Sequence, residues 1–332
     1  VTCLLKAYKL DGTSNGVPMW TIDMGKNISQ GQHTTQFLVY DFDGDGKCEI
    51  AVRTAEGTVF GDGTEIKDTD GDGKVDYRVE GSAHIHGGPE FLSVLDGMTG
   101  RELARTDYIA LGKSEDWGDN YYKRSASYRV GVGYFSGTTP SILICRGVYG
   151  KMVLEAWDFQ GQELKKRWRF DTSDGVHGDY AGQGNHSLSV GDVDDDGCDE
   201  VVYGGCCIDH NGKGLWNSRH GHGDALHLGK FDPSREGLQV FACHEDPQSY
   251  GNMGAELHDA ATGEILAYLP VSNEDVGRCM VADIDPETPG CELWASGPQG
   301  KLFSCKGEEL VGKSVPVYKP NPTAYSYNFG IW

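Results

Sequence analysis

The stretch GNHSLSVGDVDDDGCDE (184–200) places a histidine, an apolar strand pattern and a loop of alternating carboxylates side by side. Asp192, Asp194 and Asp196 stand at loop positions 1, 3 and 5, Gly197 at position 6 permits a sharp turn, and Cys198 at position 7 offers a backbone carbonyl. Oxygen ligands are delivered to a hard cation of calcium's size in this way. An EF-hand would carry a bidentate Glu at position 12, but Tyr203 stands there and the acid is Glu200, at position 9. The loop is therefore not an EF-hand.

The same departure occurs twice more. Asp41, Asp43, Asp45, Lys47 and Glu49 occupy positions 1, 3, 5, 7 and 9 of one loop, and Asp68, Asp70, Asp72, Lys74 and Asp76 those of another, with Val52 and Val79 at position 12. The runs "QFLVY", "EIAVR", "SLSV" and "EVVYG" that flank two of these loops are rich in β-branched and aromatic residues and read as short strands. The cation is thus expected to close a β-hairpin. An Asp-Gly turn chosen only for its positive φ explains one such loop, not three with their acids in phase.

Copies of this unit recur along the chain. Aligned on the first loop position, 36–53, 128–147, 187–204, 225–243 and 278–295 all read strand, turn, strand; the second copy has lost its carboxylates and the last two keep only some. Between them stand apolar, turn, apolar segments such as "FLSVLDGMTGRELARTDY" and "AELHDAATGEILAYLPV", read as outer hairpins. An inner plus an outer hairpin makes a four-stranded blade, so the expected fold is all-β, a β-propeller, with a β-sandwich as runner-up. Four fuller blades are counted between an unpartnered outer hairpin at Val1 to Met24 and an inner strand at "YSYNFGIW". The expectation is a single propeller domain over 1–332, incomplete at both ends.

Composition agrees. Glycine supplies 48 of 332 residues, about twice the usual frequency, as many tight turns require. The net charge of −21 excludes a phosphate-backbone partner, which needs Lys and Arg, and no apolar run reaches the roughly 18 residues that span a bilayer. Ten cysteines, spread mostly singly through strand-like runs, leave open packed free thiols and a disulfide; no pair has C-x-x-C spacing.

Polar residues gather just before the inner strands: His33, Asn185, His186, His222, Asp224, Asp275 and Arg278. In a propeller those positions converge on one face, which makes them the first candidate site. His186 and Asp192 are candidates for one metal cluster; His222, Asp224 and Glu245 for a second cation or for substrate. In "RHGHGDALHLG" His220, His222 and Asp224 alternate, so an extended segment would turn all three to one side. Two insertions, with His84, His86 and Glu90 and with Glu115, Asp116, Trp117, Asp119, Tyr121, Tyr122, Lys123 and Arg124, read either as sugar contacts or as solvated loops with aromatic plugs.

The runs "GKNISQGQHTTQFLVYDFDGDGKCEIAVRTAEGT", "EDWGDNYYKR", "YAGQGNHSLSVGDVDDDGCDEVVYG" and "GHGDALHLGKFDPSREGLQVFACHED" closely resemble the rhamnogalacturonan lyases of polysaccharide lyase family 11. The resemblance implies an eight-bladed propeller that binds several calcium ions and cleaves the pectin backbone rhamnogalacturonan I by β-elimination. It implies metal positions at Asp41, Asp43, Asp45 and Glu49, at His186, Asp192, Asp194, Asp196 and Glu200, and at His222, Asp224 and Glu245. It also implies further blades on both sides, substrate-contacting residues among them. His33, Asn185, Asp275 and Arg278 are the substrate-binding candidates; no catalytic base is assigned, since His186 and His222 fall among the ligands.

A calcium ion would let an acidic protein handle an acidic polymer and would stabilise charge developing beside a uronate carboxylate. The competing readings are a non-catalytic calcium propeller for adhesion or glycan binding, and hydrolysis by paired carboxylates. The expected partner is a pectic polysaccharide met by a monomer outside the cell, with no nucleic acid and no membrane.

Overall fold

Each inner segment forms the strand pair its alternation predicts, and the sheets build outward from them. The computed structural model describes residues 2–13, 15–31, 33–118, 122–270, 275–296 and 301–315. A two-stranded sheet, β1 (Leu4–Ala7) and β2 (Trp20–Asp23), comes first. The four-stranded sheets follow: β3 (Phe37–Tyr40), β4 (Glu49–Ala55), β5 (Glu90–Asp96) and β6 (Glu102–Asp107); then β7 (Tyr128–Gly133), β8 (Ser141–Arg146), β9 (Val153–Gln160) and β10 (Glu163–Asp171). Next come β11 (Ser189–Gly191), β12 (Glu200–Val202), β13 (Cys206–Ile208) and β14 (Gly214–Asn217); β15 (Leu226–Gly229), β16 (Gln239–Cys243), β17 (Met253–Asp259) and β18 (Ile265–Pro270); and β19 (Cys279–Ala282), β20 (Glu292–Ala295), β21 (Lys301–Phe303) and β22 (Glu309–Ser314). In every sheet, strands adjacent in sequence are adjacent in space. Among the described residues there is no α-helix, only short 3-10 turns.

The fuller four-stranded sheets therefore number five among the described residues, not four. The one missed in sequence owes its outer hairpin to β13 and β14, three and four residues long with a register shift at Cys207/Ile208, too short for a periodicity to register. The outer hairpin at Val1 to Met24 is β1 with β2 alone, and "YSYNFGIW" lies outside the described residues. No strand flanks the loop 68–76, in keeping with strand-like flanks being read only for the other two loops. All ten cysteines are free, six of them buried.

The chain forms two compact units: Val1–Val132 with Thr139–Gly147 and Val153–Arg169, and Gly133–Thr138 with Val148–Met152 and Phe170–Trp332. In the first, apolar faces of consecutive sheets meet through Ile22, Val52 and Leu95, and through Val94, Ile142 and Phe159. In the second, Val202, Trp216 and Val240 join β11–β14 to β15–β18, and Phe241, Leu257 and Leu293 join β15–β18 to β19–β22. Burying each such side chain stabilises by roughly 1.5–3 kcal/mol. The Thr-Gly of the outer turns has a packing reason: a Cβ on Gly100 would lie 2.8 Å from the Trp20 ring and one on Gly263 2.7 Å from Trp216, while each indole N–H donates to a backbone carbonyl, Gly97 or Ala260.

Candidate metal centre

The three acidic loops share one conformation, set by their own carboxylates. The position-6 amide donates to the position-1 carboxylate in each: Gly46 to Asp41 (2.9 Å), Gly73 to Asp68 (2.9 Å) and Gly197 to Asp192 (3.0 Å). These glycines sit at φ +85, +80 and +89, which side chains with a Cβ rarely adopt. The amides of Lys47, Lys74 and Cys198 donate to the position-5 carboxylates, and the Lys74 carbonyl accepts from the Tyr77 hydroxyl. The position-9 acid accepts the position-2 amide: Phe42 to Glu49 Oε2 and Val193 to Glu200 Oε2, both 2.9 Å.

In loop 68–76 that last role passes to a residue the sequence did not single out. Asp76 turns to Arg78 (2.7 Å) and Lys26 (3.5 Å), while Glu56 Oε1 accepts the Thr69 amide at 2.5 Å and its hydroxyl at 2.6 Å. Glu56 Oε2 and Glu200 Oε1 are buried without a hydrogen-bond partner. Such atoms fit a cation, because an uncompensated buried carboxylate oxygen is costly. Burial, followed by the charges of Asp194 and Asp196, pushes the Glu200 carboxyl up to about 7. Asp209 and His210, from the turn after β13, also face loop 192–200; His210 Nδ1 is 3.1 Å from Asp196 and 3.6 Å from Glu200.

A second, mixed cluster lies wholly in the second unit. Backbone bonds bring its segments together: His186 N donates to Gly223 O, Glu245 N to His222 O and Val276 N to His244 O. Gly223 is obligatory, since a Cβ there would fall 1.7 Å from Cys243 O. His222 Nδ1 is 2.7 Å from Gly184 O, the donor arrangement that leaves Nε2 with its lone pair free for a ligand. That Nε2 faces Glu245 Oε1 at 3.4 Å and Asp224 Oδ1 at 3.7 Å, and His186 Nε2 faces Asp224 Oδ1 at 3.4 Å. His222 Nε2 and Asp224 Oδ1 make no hydrogen bond. Atoms ~3.4 Å apart are spaced as ligands around an ion bound at about 2.0–2.4 Å, so the four residues fit a divalent cation.

The electrostatics are those of a charged pocket. Burial alone would raise Asp224, but the nearby His222 imidazole and the charges of His186 and Arg278 hold it at about 2. Burial would lower His222, and Asp224 and Glu245 raise it instead. Asp275, at the rim, is pushed up to about 6 by partial burial and then by Glu245 and Asp224. Arg278 Nη1 donates to Asp224 Oδ2 and to Gly277 O. Tyr149, also missed in sequence, lays its ring 3.9 Å from His222, and its hydroxyl is 2.8 Å from His186 Nε2.

The structure thus gathers His186, His222, Asp224, Glu245, Asp275 and Arg278. His186 groups with Asp224, whereas Asp192 stays in its own loop. Asn185 is fully buried, its Oδ1 accepting from Ser187, so it shapes the loop. His220 does not share the side of His222 and Asp224: Gly221, at φ +81, breaks the extended alternation, and His220 Nδ1 meets Glu256 at 2.6 Å. His33 belongs to the first unit, where its carbonyl accepts the Tyr128 amide. So does Glu90, a buried carboxylate shared by Arg53 and Arg146. Trp117 is a plug, 1% exposed, and His86 stacks on Tyr122; Asp119 and Tyr121 lie outside the described residues.

Comparison with known proteins adds the lineage. Residues 1–332 match the family profile "Rhamnogalacturonan lyase family 11, C-terminal domain". The chain is 46% identical to rhamnogalacturonan endolyase YesW of Bacillus subtilis (strain 168) over 330 residues, 99% of this chain and 49% of that protein. It is 47% identical to rhamnogalacturonan exolyase YesX of the same organism over 336 residues, 99% of this chain and 52% of the relative. The solved structure of Bacillus licheniformis rhamnogalacturonan lyase PL11 aligns with a TM-score of 0.89 at 48% identity, over 100% of this chain and 53% of its own. The chain spans about half the length of these relatives.

Proposed function

The chain belongs to rhamnogalacturonan lyase family 11, and from that premise we propose that it serves calcium-assisted β-elimination at galacturonate in rhamnogalacturonan I. The observation that carries this reading is the pair of unsatisfied atoms, His222 Nε2 and Asp224 Oδ1, held toward each other with Glu245 and His186 around them. His186, His222, Asp224 and Glu245 would hold the cation, as would the loops at 41–49, 192–200 and 68–76, the last with Glu56. When bound, a divalent cation supplies a Lewis acid for the uronate C6 carboxylate.

The chain's own residues supply orientation and proton transfer. Arg278, anchored on Asp224, is a cationic fork at the rim suited to a carboxylate. Elimination takes the C5 proton, forms a C4–C5 double bond and breaks the bond from C4 to the rhamnosyl oxygen, which leaves carrying a proton. Tyr149 Oη, 2.8 Å from His186 Nε2, is the proton-handling group, since the His186 nitrogen is taken up as a ligand. We place the protein in a β-propeller acting as a monomer outside the cell, where polymer and millimolar calcium coincide. That siting needs no disulfide: burial raises the Cys145 and Cys206 thiols, which keeps them protonated and inert.

The test is ultraviolet absorbance of the unsaturated uronate released from rhamnogalacturonan I. The expected result is absorbance that a chelator abolishes and calcium restores, with Tyr149→Phe lowering kcat about 10²–10⁴-fold. Reducing ends without absorbance would establish hydrolysis instead; calcium-dependent binding with neither would establish a glycan-binding module.

A further inference from the structure

Beneath the cluster just described lies a second convergence of metal-ligating side chains, outside the acidic loops. Glu256 and His258 are alternate residues of β17, so they project from one face of it. His244 follows β16 and His220 precedes β15. His220 Nδ1, His258 Nε2 and His244 Nε2 meet Glu256 Oε1 at 2.6, 2.7 and 3.0 Å. Glu256 and His244 are fully buried and His258 is 1% exposed.

The imidazoles are oriented as ligands. His244 Nδ1 lies 2.9 Å from Gly221 O, and His258 Nδ1 lies 3.0 Å from Gly263 O. With Nδ1 engaged by a carbonyl, each ring presents its Nε2 to the carboxylate. A divalent cation would replace the protons that bridge these nitrogens and the carboxylate, since ligands bind metal in their deprotonated form. Independently, Glu256 Oε2 is buried with no hydrogen-bond partner. It is one more donor atom left over by the protein's own bonds.

We propose that His220, His244, His258 and Glu256 form a transition-metal site, for zinc or a similar first-row divalent ion, distinct from the calcium sites. Three imidazole nitrogens with one carboxylate suit zinc, whereas calcium takes oxygen ligands, typically six to eight. Bonds of about 2.0–2.1 Å spread tetrahedral ligands to ~3.3 Å, against the 2.6–3.0 Å that separate each nitrogen from Glu256 Oε1. His220, with 16% of its side chain exposed, is the member that reaches the surface and provides entry. The ion would tie β15, β16 and β17 together directly under His222 and Glu245.

The experiment is cobalt(II) titration of the full chain, stripped by chelator and returned to excess calcium, read by visible d–d absorption and checked by elemental analysis for zinc. The expected result is stoichiometric uptake with the intense bands of a four-coordinate imidazole site, lost in His258→Gln and in His220→Gln but kept in His186→Gln. His220→Gln, at the partly exposed position, secures the result if the buried variant does not fold. Absence of bands in the parent chain overturns the proposal. So does their survival in both variants, or their loss in His186→Gln alone, which would assign the ion to the His222 cluster.

Discussion

Loops 192–200 and 230–239 close the inner hairpins of two consecutive sheets, yet they reach charge balance by opposite routes. In the first, Glu200 accepts the Val193 amide, keeps one oxygen unsatisfied and faces two aspartates, Asp194 and Asp196. In the second, Gln239 fills the same place as a neutral amide: its Oε1 accepts from Phe231 (2.9 Å) and Asp232 (3.0 Å), and its Nε2 donates to Gly237 O (2.9 Å). Two ammonium groups then stand where an ion would: Lys230 on the carbonyls of Arg235 and Gly237, and Lys306 on Asp232 and Ser234. Loop 283–292 is intermediate, keeping Glu292 on the amides of Ile284 and Asp285 but neutralised by Lys313 on Asp285 and Glu287. The hairpin needs an acceptor for its early amides, and carboxylate and carboxamide both serve; what differs between the loops is whether lysines of the chain compensate their carboxylates.

The largest expected consequence is a split response to chelation. Removing divalent ions should lower the melting temperature, by about 2.7 kcal/mol of stability per site when free calcium had been 100-fold above Kd. Hydrogen exchange should then accelerate in 41–49 and 192–200 but not in 230–239. Equal acceleration in all three would show that divalent ions do not distinguish these loops.

Exchanging the acceptors between the two loops gives the next largest effect. Gln239→Glu buries a carboxylate beside lysines already engaged and should destabilise by about 1–3 kcal/mol, measured by urea unfolding. Glu200→Gln should abolish calcium stabilisation at its loop yet cost the ion-free protein nothing.

A pH series gives a smaller effect with a defined sign. Without ions, the folded Glu200 carboxyl, pushed up to about 7, lies above its ordinary value of 4.5. Folding therefore disfavours the ionised form, a penalty fully present above about pH 7 and relieved as pH falls toward 4.5. Ion-free protein should gain stability over that interval, while calcium affinity falls because protons compete for the same oxygen. Glu200→Gln should flatten both trends when followed by calorimetry.

The smallest effect belongs to Lys306→Met. Half of this side chain is exposed, so losing its contact with Asp232 should cost no more than about 1 kcal/mol and leave the calcium response unchanged. A large loss on thermal unfolding would mean that the ammonium organises the loop.

The legibility of these features in sequence follows their range. Asp41 to Glu49 and Asp192 to Glu200 could be read because positions 1 to 9 of one turn satisfy each other's amides locally. Strand alternation marked the inner hairpins and most outer ones, failing at β13 and β14, where three or four residues carry no period. The alternation of His220, His222 and Asp224 misled, because one residue at positive φ rotated His220 away.

By itself the sequence determined the repeated β-hairpin and the shape of its acidic loops, since both are set by backbone preferences and contacts within a few residues. Only the tertiary structure decided that Glu56 replaces Asp76, that Tyr149 joins His186 and His222, and that three histidines meet on Glu256. Those partners come from separate segments, and their meeting depends on strand register and on the packing of sheet on sheet, which no local pattern encodes.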